Sequence, residues 1–430
     1  MATTNTSDTS FSDILKEEYE PIMQNQLVTD SEAKDLYTPA DGFEVTEGPD
    51  GKQINIAHLF SAGGGGGFMD EDDYLYTSTN PSIKQSHINI KQAMVTAELS
   101  GRTLRRVKQG AAAFADWASE VLPLKVEYLA HVEDRALLGA GNGIVARVNG
   151  TPAAAGTAVD SAYGIASLEG AEFLFAEGDT LRWGPNADGT SLRTGAAVVT
   201  GINYDDKEII IDSLPTSAAD NDYIFMGTAN VNGSGSVEAM GLEGIVDDGT
   251  NVATFQGLSR STYLKMNAQI INAATAQSNV FAGVLSEDLL DYADRQAWMR
   301  GKGKPDYLLT SYSGRSSFWK SLKDDRRITD PAGNYTGGRA NLRMILGDRI
   351  IDLKCARKVP DSRAFLNERK SLKFYRVGQP HWDDTTGAIW DRVIDSTGRK
   401  DAFWAVFLDE FNVASGMPNH CVKITNLAAA

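Results

Sequence analysis

Apolar residues recur along this chain with two different periods, and each change of period predicts a change of architecture. The polar first forty residues hold one short helical stripe, Ile14, Leu15, Tyr19 and Ile22, between Ser12 as N-cap and Asn25. Such a segment cannot bury a core by itself and needs another surface to lie on. Further on, the turn signals Asp41-Gly42 and Gly48-Pro49-Asp50-Gly51 precede two β-like runs, Gln53 to Phe60 and Ile83 to Ala97. Gly63 to Gly67 lie between them, followed by Asp70-Glu71-Asp72-Asp73, and an all-glycine run reads as a mobile loop tip.

The strongest helical pattern runs from Arg105 to Gly139. Phe114, Trp117, Val121, Leu124, Tyr128 and Val132 mark one face at three- and four-residue steps. At about 1.5 Å per residue the helix would be about 45–50 Å long, with a kink or break at Pro123. The period then falls to two. Phe173–Phe175, Thr180–Trp183, Ala197–Tyr204, Glu208–Asp212 and Tyr223–Met226 are short β runs divided by Gly, Pro, Asn and Asp turns. They predict a small barrel or sandwich over residues 165–230. Helical patterns follow at Ser261–Ala276 and at Glu287–Arg300, the second capped by Ser286 and stopped by Gly301. A strand at Tyr307–Thr310, a helix at Arg315–Leu322 and strands near Arg349–Leu353, Ser371–Val377 and Phe403–Phe411 complete the chain.

Charge adds an asymmetry that periodicity does not show. The formal charge is -16, yet residues 1–80 alone hold 16 acidic side chains against Lys16, Lys34 and Lys52, a balance of -13. Residues 315–376 hold 16 basic and 7 acidic ones, a balance of +9. The split predicts that an acidic front meets a basic band on an adjacent chain. Leu15, Tyr19 and Phe60 would be its apolar anchors, and Glu17, Glu18, Asp70, Glu71, Asp72 and Asp73 would face Arg326, Arg327, Arg339 and Arg343. An overall acidic molecule disfavours nucleic-acid binding driven by net charge. No apolar run approaches the roughly 18 residues of a membrane helix, and the first residues lack the basic and apolar regions of a secretory signal. Cys355 and Cys421 alone make no disulfide framework and suit synthesis in a reducing cytoplasm.

Candidate chemistry is sparse. The five histidines, His58, His87, His131, His381 and His420, form no pair at metal-ligand spacing. Gly301-Lys302-Gly303-Lys304-Pro305 lacks the flanks of a phosphate loop, and Ser311-Tyr312-Ser313-Gly314 lacks the first glycine of a nucleophile elbow. His381-Trp382-Asp383-Asp384 reads as a turn before it reads as a cation site. The expectation is no enzyme, no metal and no cofactor.

The order of elements resembles the tailed-bacteriophage major capsid proteins of the Hong Kong 97-type fold. The likeness is best from Lys304 onward. Pro305-Asp306-Tyr307-Leu308-Leu309-Thr310 is similar to the family's strand before a helix. Lys323-Asp324-Asp325 and Gly333-Asn334-Tyr335 resemble its charged turn and glycine-tyrosine loop. Leu346-Gly347-Asp348-Arg349-Ile350-Ile351 resembles a leucine-x-glycine strand, with Arg349 where the family has proline. Val359-Pro360 and Ala364-Phe365-Leu366 resemble the link and strand after it, Phe403–Phe411 a peripheral strand, and Glu133-Asp134-Arg135-Ala136-Leu137-Leu138-Gly139 the end of the spine helix.

The resemblance implies an α+β capsid fold with an inserted small β domain. Its parts would be an N-terminal arm (1–40), an extended hairpin loop (41–100), a spine helix of the peripheral domain (101–140), the start of the axial domain (141–164), the insert (165–230), the axial domain (231–365), peripheral strands (366–412) and a last axial strand (413–430). It implies hexamers and pentamers of the chain itself in an icosahedral shell around double-stranded DNA, assembled in the host cytoplasm and located in the virion. A portal protein, a separate scaffolding protein and a decoration protein are its expected partners, with packaged DNA touched only non-specifically and no membrane. An encapsulin-type nanocompartment shell is the sibling alternative, and a β-rich surface binding protein is the alternative from another class.

Overall fold

A computed structural model describes residues 33–428 except 41, 49–50, 72–73, 75, 101–116, 162–170, 188, 190, 227–237, 278, 322–342, 347–348, 385–386, 388 and 396–397. The chain forms two compact units. The larger takes Ser31–Ala93, Val132–Gln379 and Asp409–Ala430, and the smaller includes Met94–His131 and Pro380–Leu408.

The larger unit is built on a six-stranded mixed sheet. Its order is Gln269–Asn272, Val422–Thr425, Ala364–Asn367, Tyr307–Thr310, Arg349–Cys355, Arg343–Leu346. Tyr307–Thr310 is buried at every position because both faces of the sheet are covered. Period two sorts its side chains. Leu308 joins Leu366, Val422 and Ile424 under the helix Glu287–Gly301, whose Leu289, Leu290, Ala293 and Ala297 are all buried. Tyr307 and Leu309 point the other way, into a core shared with Leu137, Leu242, Ile245 and Phe365. The helix begins as its sequence requires, with the Ser286 hydroxyl accepting from the Leu289 N–H, and ends at Lys302 in the left-handed region.

A closed barrel of six antiparallel strands follows the long helix. It runs in the order Glu208–Ile211, Thr157–Ser161, Ile144–Val148, Tyr223–Met226, Thr180–Gly184, Ala197–Asn203. Fully buried Trp183, Leu181, Ile209 and Ile224 fill it. The barrel thus takes in residues 144–161, which the sequence reading placed at the start of the axial domain. Closure needs these two strands to pair the edges of the later four, a long-range demand that local turn signals do not reveal. Phe173–Phe175, read as a strand, lies instead at a 3-10 turn, Glu172–Leu174.

Two further differences concern helices. Ser261–Ala276 is not helical: it holds a 3-10 turn, Leu264–Met266, and the strand Gln269–Asn272. That strand pairs in parallel with Val422–Thr425, so an edge some 150 residues away overrides the local helical pattern. The long helix is described over Trp117–Leu138 and is continuous through Pro123, so proline does not break it. Pro123 is exposed, where water can replace the donor that the carbonyl one turn back loses. Arg105–Asp116 lie outside the described residues. Leu124, Tyr128 and Val132 are only half-buried, whereas Glu133 to Leu137 are buried at every position, charged residues included.

In the smaller unit, His381–Trp382 and Asp391–Asp395 pair antiparallel with the first part of Gly398–Ser415. Trp382 packs on Phe407 at 5.1 Å between ring centroids. His381-Trp382-Asp383-Asp384 is accordingly a strand end and turn, with the Asp383 N–H donating to the Val406 carbonyl.

Candidate assembly surface

Gly51–Ser61 and Ser82–Asn89 form an extended antiparallel hairpin, in register from Gln53 opposite Asn89 to Ser61 opposite Ser82. Alternation decides which side chains it offers. Ile54, Ile56, His58 and Phe60 share the inward face. Ile54 and Ile88 pack with Tyr375 and Ala414. The His58 ring nitrogen lies 2.7 Å from the Ser86 hydroxyl, and burial lowers the His58 pKa. Polar ties hold the hairpin along its length to the rest of the larger unit. Lys52 pairs with Glu410 at 2.7 Å, the Asn412 amide donates to the Asn89 carbonyl at 2.6 Å, the His87 N–H donates to the Gln256 carbonyl, and Lys265 donates to the Phe60 carbonyl.

At its far end the outward face carries one exposed apolar cross-strand pair. Leu59 lies opposite Ile83, and they are 62% and 60% exposed. Phe68, Met69, Tyr74 and Tyr76 at the tip are exposed too, Phe68 completely. The glycine run does more than loosen this tip. Gly63 and Gly65 have φ of +85° and +125°, and a Cβ on Gly65 would lie 2.7 Å from the Ser78 Cα. Only glycine lets the two legs close here, where Gly64 and Thr79 exchange backbone and hydroxyl hydrogen bonds.

The sequence-predicted contact residues are placed unevenly. Asp70 and Glu71 stand exposed at the tip. Leu15, Glu17, Glu18, Tyr19, Asp72, Asp73, Arg326, Arg327 and Arg339 lie outside the described residues, and Arg343 begins the edge strand Arg343–Leu346. The half-buried Phe60 ring faces Tyr263 of its own chain at 4.9 Å, because it shares the inward parity of Ile54 and His58. Leu59 and Ile83 are the outward apolar pair. Other members of the basic band have partners in their own chain. Arg349 pairs with Asp294 at 2.8 Å, Lys358 with Asp134 at 2.8 Å, Arg363 with Glu243 at 2.6 Å, and Arg376 with Asp409. Arg357 stacks on Phe173 and Arg369 on Tyr307. These members of the band balance carboxylates and rings within the subunit.

Sequence reasoning missed the buried charge cluster beneath the sheet. Glu243 accepts from Arg363 at 2.6 Å and from Lys423 at 2.9 Å, and all three are nearly inaccessible. Asp247 meets Lys423 at 3.4 Å, Arg260 at 3.1 Å and the N–H groups of Gly249, Asn251 and Val252. Burial opposes ionisation of both acids, but the facing cations outweigh it and hold both carboxyls below their usual range. Burial likewise pulls Arg260 down to about 10 against the attraction of Asp247. A turn signal marks Asp247-Asp248-Gly249, but nothing local indicates a partner 176 positions away. A cavity of about 50 Å³ nearby is lined by Arg135, Glu238, Glu243, Lys358, Arg363 and Phe365. Among the described residues, no three His, Cys, Asp or Glu side chains are grouped to hold a metal.

No family model matches the sequence, and no curated protein does. Solved structures do. The cyanophage A-1(L) capsid asymmetric unit matches over 98% of this chain and 99% of that one, at 11% identity and a TM-score of 0.54. The capsid of the native GTA particle matches over 99% and 100%, at 10% identity and 0.47. The holo-SrpI encapsulin complex from Synechococcus elongatus matches over 98% and 96%, at 11% identity and 0.39. The first of these likenesses, spanning nearly all of both chains, shows that this chain has the fold of a phage capsid protein.

Proposed function

We propose that this chain is the major capsid protein of a tailed phage, assembling as hexamers and pentamers into an icosahedral shell that encloses double-stranded DNA. The observation that carries the reading is the hairpin, anchored along its length and lined on its outward face and tip by Leu59, Ile83, Phe68, Met69, Tyr74 and Tyr76. Covering each such side chain is worth about 1.5–3 kcal/mol. A neighbouring copy is the natural cover, since every subunit of a shell then presents and receives the same loop. The capsid-type fold supports it. The N-terminal arm and the acids at the tip would add register: exposed ion pairs contribute only about 0.2–1 kcal/mol each but repeat at every interface. In this reading the barrel is an outward insert available to a decoration protein. Portal and scaffolding proteins are further partners, and the subunit performs no chemistry.

Negative-stain microscopy of the purified full chain tests the proposal. Closed shells or free hexamers and pentamers are expected, and a monodisperse small oligomer at all concentrations overturns it. Nuclease-protected DNA in particles from infected cells separates a phage shell from an encapsulin-type compartment.

A further inference from the structure

The segment entering the larger unit is clamped where the long helix ends. The Ala33 N–H donates to Asp134 Oδ1 at 2.7 Å, the Tyr37 hydroxyl donates to the Leu137 carbonyl at 2.7 Å, and Lys34 pairs with Glu133 at 3.2 Å. Thr38 and Pro39 then pair in parallel with Lys373 and Phe374. Two carboxylates converge under this clamp. One Arg376 nitrogen pairs with Asp409 and also lies 3.7 Å from Glu133. The Glu133 and Asp409 side chains are 8% and 1% exposed, and they lie within hydrogen-bond reach of each other. Asp409 Oδ1 is buried without any hydrogen-bond donor among the described residues. Two carboxylates cannot hydrogen-bond each other when both are ionised, so the contact requires a proton on one of them.

We propose that Glu133 carries a proton donated to Asp409, and that loss of this proton loosens residues 33–40 from the end of the long helix. The groups facing Glu133 are known from each packed element: Lys34 on the entering segment, Arg376 on Leu372–Arg376, and Asp409 on the long strand. Asp134, beside it on the helix, is held by Lys358 and by the Ala33 N–H. Burial pushes the Glu133 pKa up to about 7, the hydrogen bond and charge of Asp409 push the same way, and Lys34 opposes them. Because the folded value is raised, the contribution is complete below the ordinary value of 4.5 and fades as pH rises through about 7.

Hydrogen-exchange mass spectrometry of the full chain, in one fixed assembly state between pH 5.5 and 8.5, tests it. After correction for intrinsic exchange, protection of peptides covering residues 33–40 should fall through about pH 7, by up to tenfold per pH unit above the midpoint. Peptides from Tyr307–Thr310 should keep their protection. Glu133→Gln, which can still donate to Asp409, should abolish the step and keep the high-protection state at both ends. Should that variant fail to fold, Asp409→Asn removes the competing charge and should move the step to lower pH, because burial alone then raises the Glu133 carboxyl. A flat wild-type profile overturns the proposal, and so does an unchanged step in either folded variant.

Discussion

Removing the Glu243 carboxylate should destabilise the larger unit more than deleting a surface ion pair, by a calculable margin. In Glu243→Ala, Arg363 loses an acceptor at 2.6 Å, and Lys423 loses one at 2.9 Å and keeps Asp247 at 3.4 Å. Both cations are 3% exposed at the side chain, so water cannot replace what they lose. Breaking one side of a buried pair costs about 3–5 kcal/mol, against about 0.2–1 kcal/mol for an exposed one. Glu243→Gln keeps the shape and one acceptor, and should cost roughly 1.5–3 kcal/mol, the range of a hydrogen bond to a charged group. Urea unfolding of the unassembled subunit, followed by tryptophan fluorescence, reads both. A double-mutant cycle with Lys423→Met should give a coupling of at least about 1 kcal/mol, since the two side chains touch. pH supplies an internal control. The Glu243 carboxyl is held below its ordinary 4.5, so its contribution is present above that value and is lost as pH falls through the folded one. The Glu243→Ala penalty should therefore shrink in acid. A cost under about 1 kcal/mol at pH 7, or strictly additive mutants, would refute the claim that this cluster supports the sheet.

Phe68→Asp combined with Tyr74→Asp should leave subunit unfolding within about 0.5 kcal/mol of wild type, as exposed sites do, while abolishing closed shells in negative stain. Normal shells from that variant would remove the hairpin tip from the assembly surface. Gly241→Ala should destabilise by about 1–3 kcal/mol or more in the same urea assay, because its Cβ would lie 2.5 Å from the Gly139 carbonyl with backbone on both sides. Pro123→Ala restores a helical donor and removes a clash worth about 3 kcal/mol, so the midpoint should rise; if Pro123 sets a bend used in shell formation, assembly should fall at the same time. A lowered midpoint would show that the helix depends on its proline.

What the sequence determined by itself is whatever nearest neighbours along the chain decide. Ser286, the acids after it and the Leu289, Leu290, Ala293, Ala297 stripe specify their helix with no outside help, and the buried run Tyr307–Thr310 specifies a strand. Period two along Gln53–Phe60 even encoded that Phe60 faces inward and Leu59 outward, although charge and hydropathy alone pointed to Phe60 as the anchor. The order of elements sufficed for a resemblance to a capsid fold. Tertiary structure decided what depends on distant partners. Gln269–Asn272 became a strand because Val422–Thr425 offered an edge, and Ile144–Val148 joined the barrel because closure required it. Along the described part of the basic band, a sequence shows charge but not its partner. Folding set Arg363 and Lys423 on Glu243, Lys358 on Asp134 and Arg376 on Asp409. A buried charge is tolerable only beside its opposite, and that opposite can stand anywhere along 430 residues.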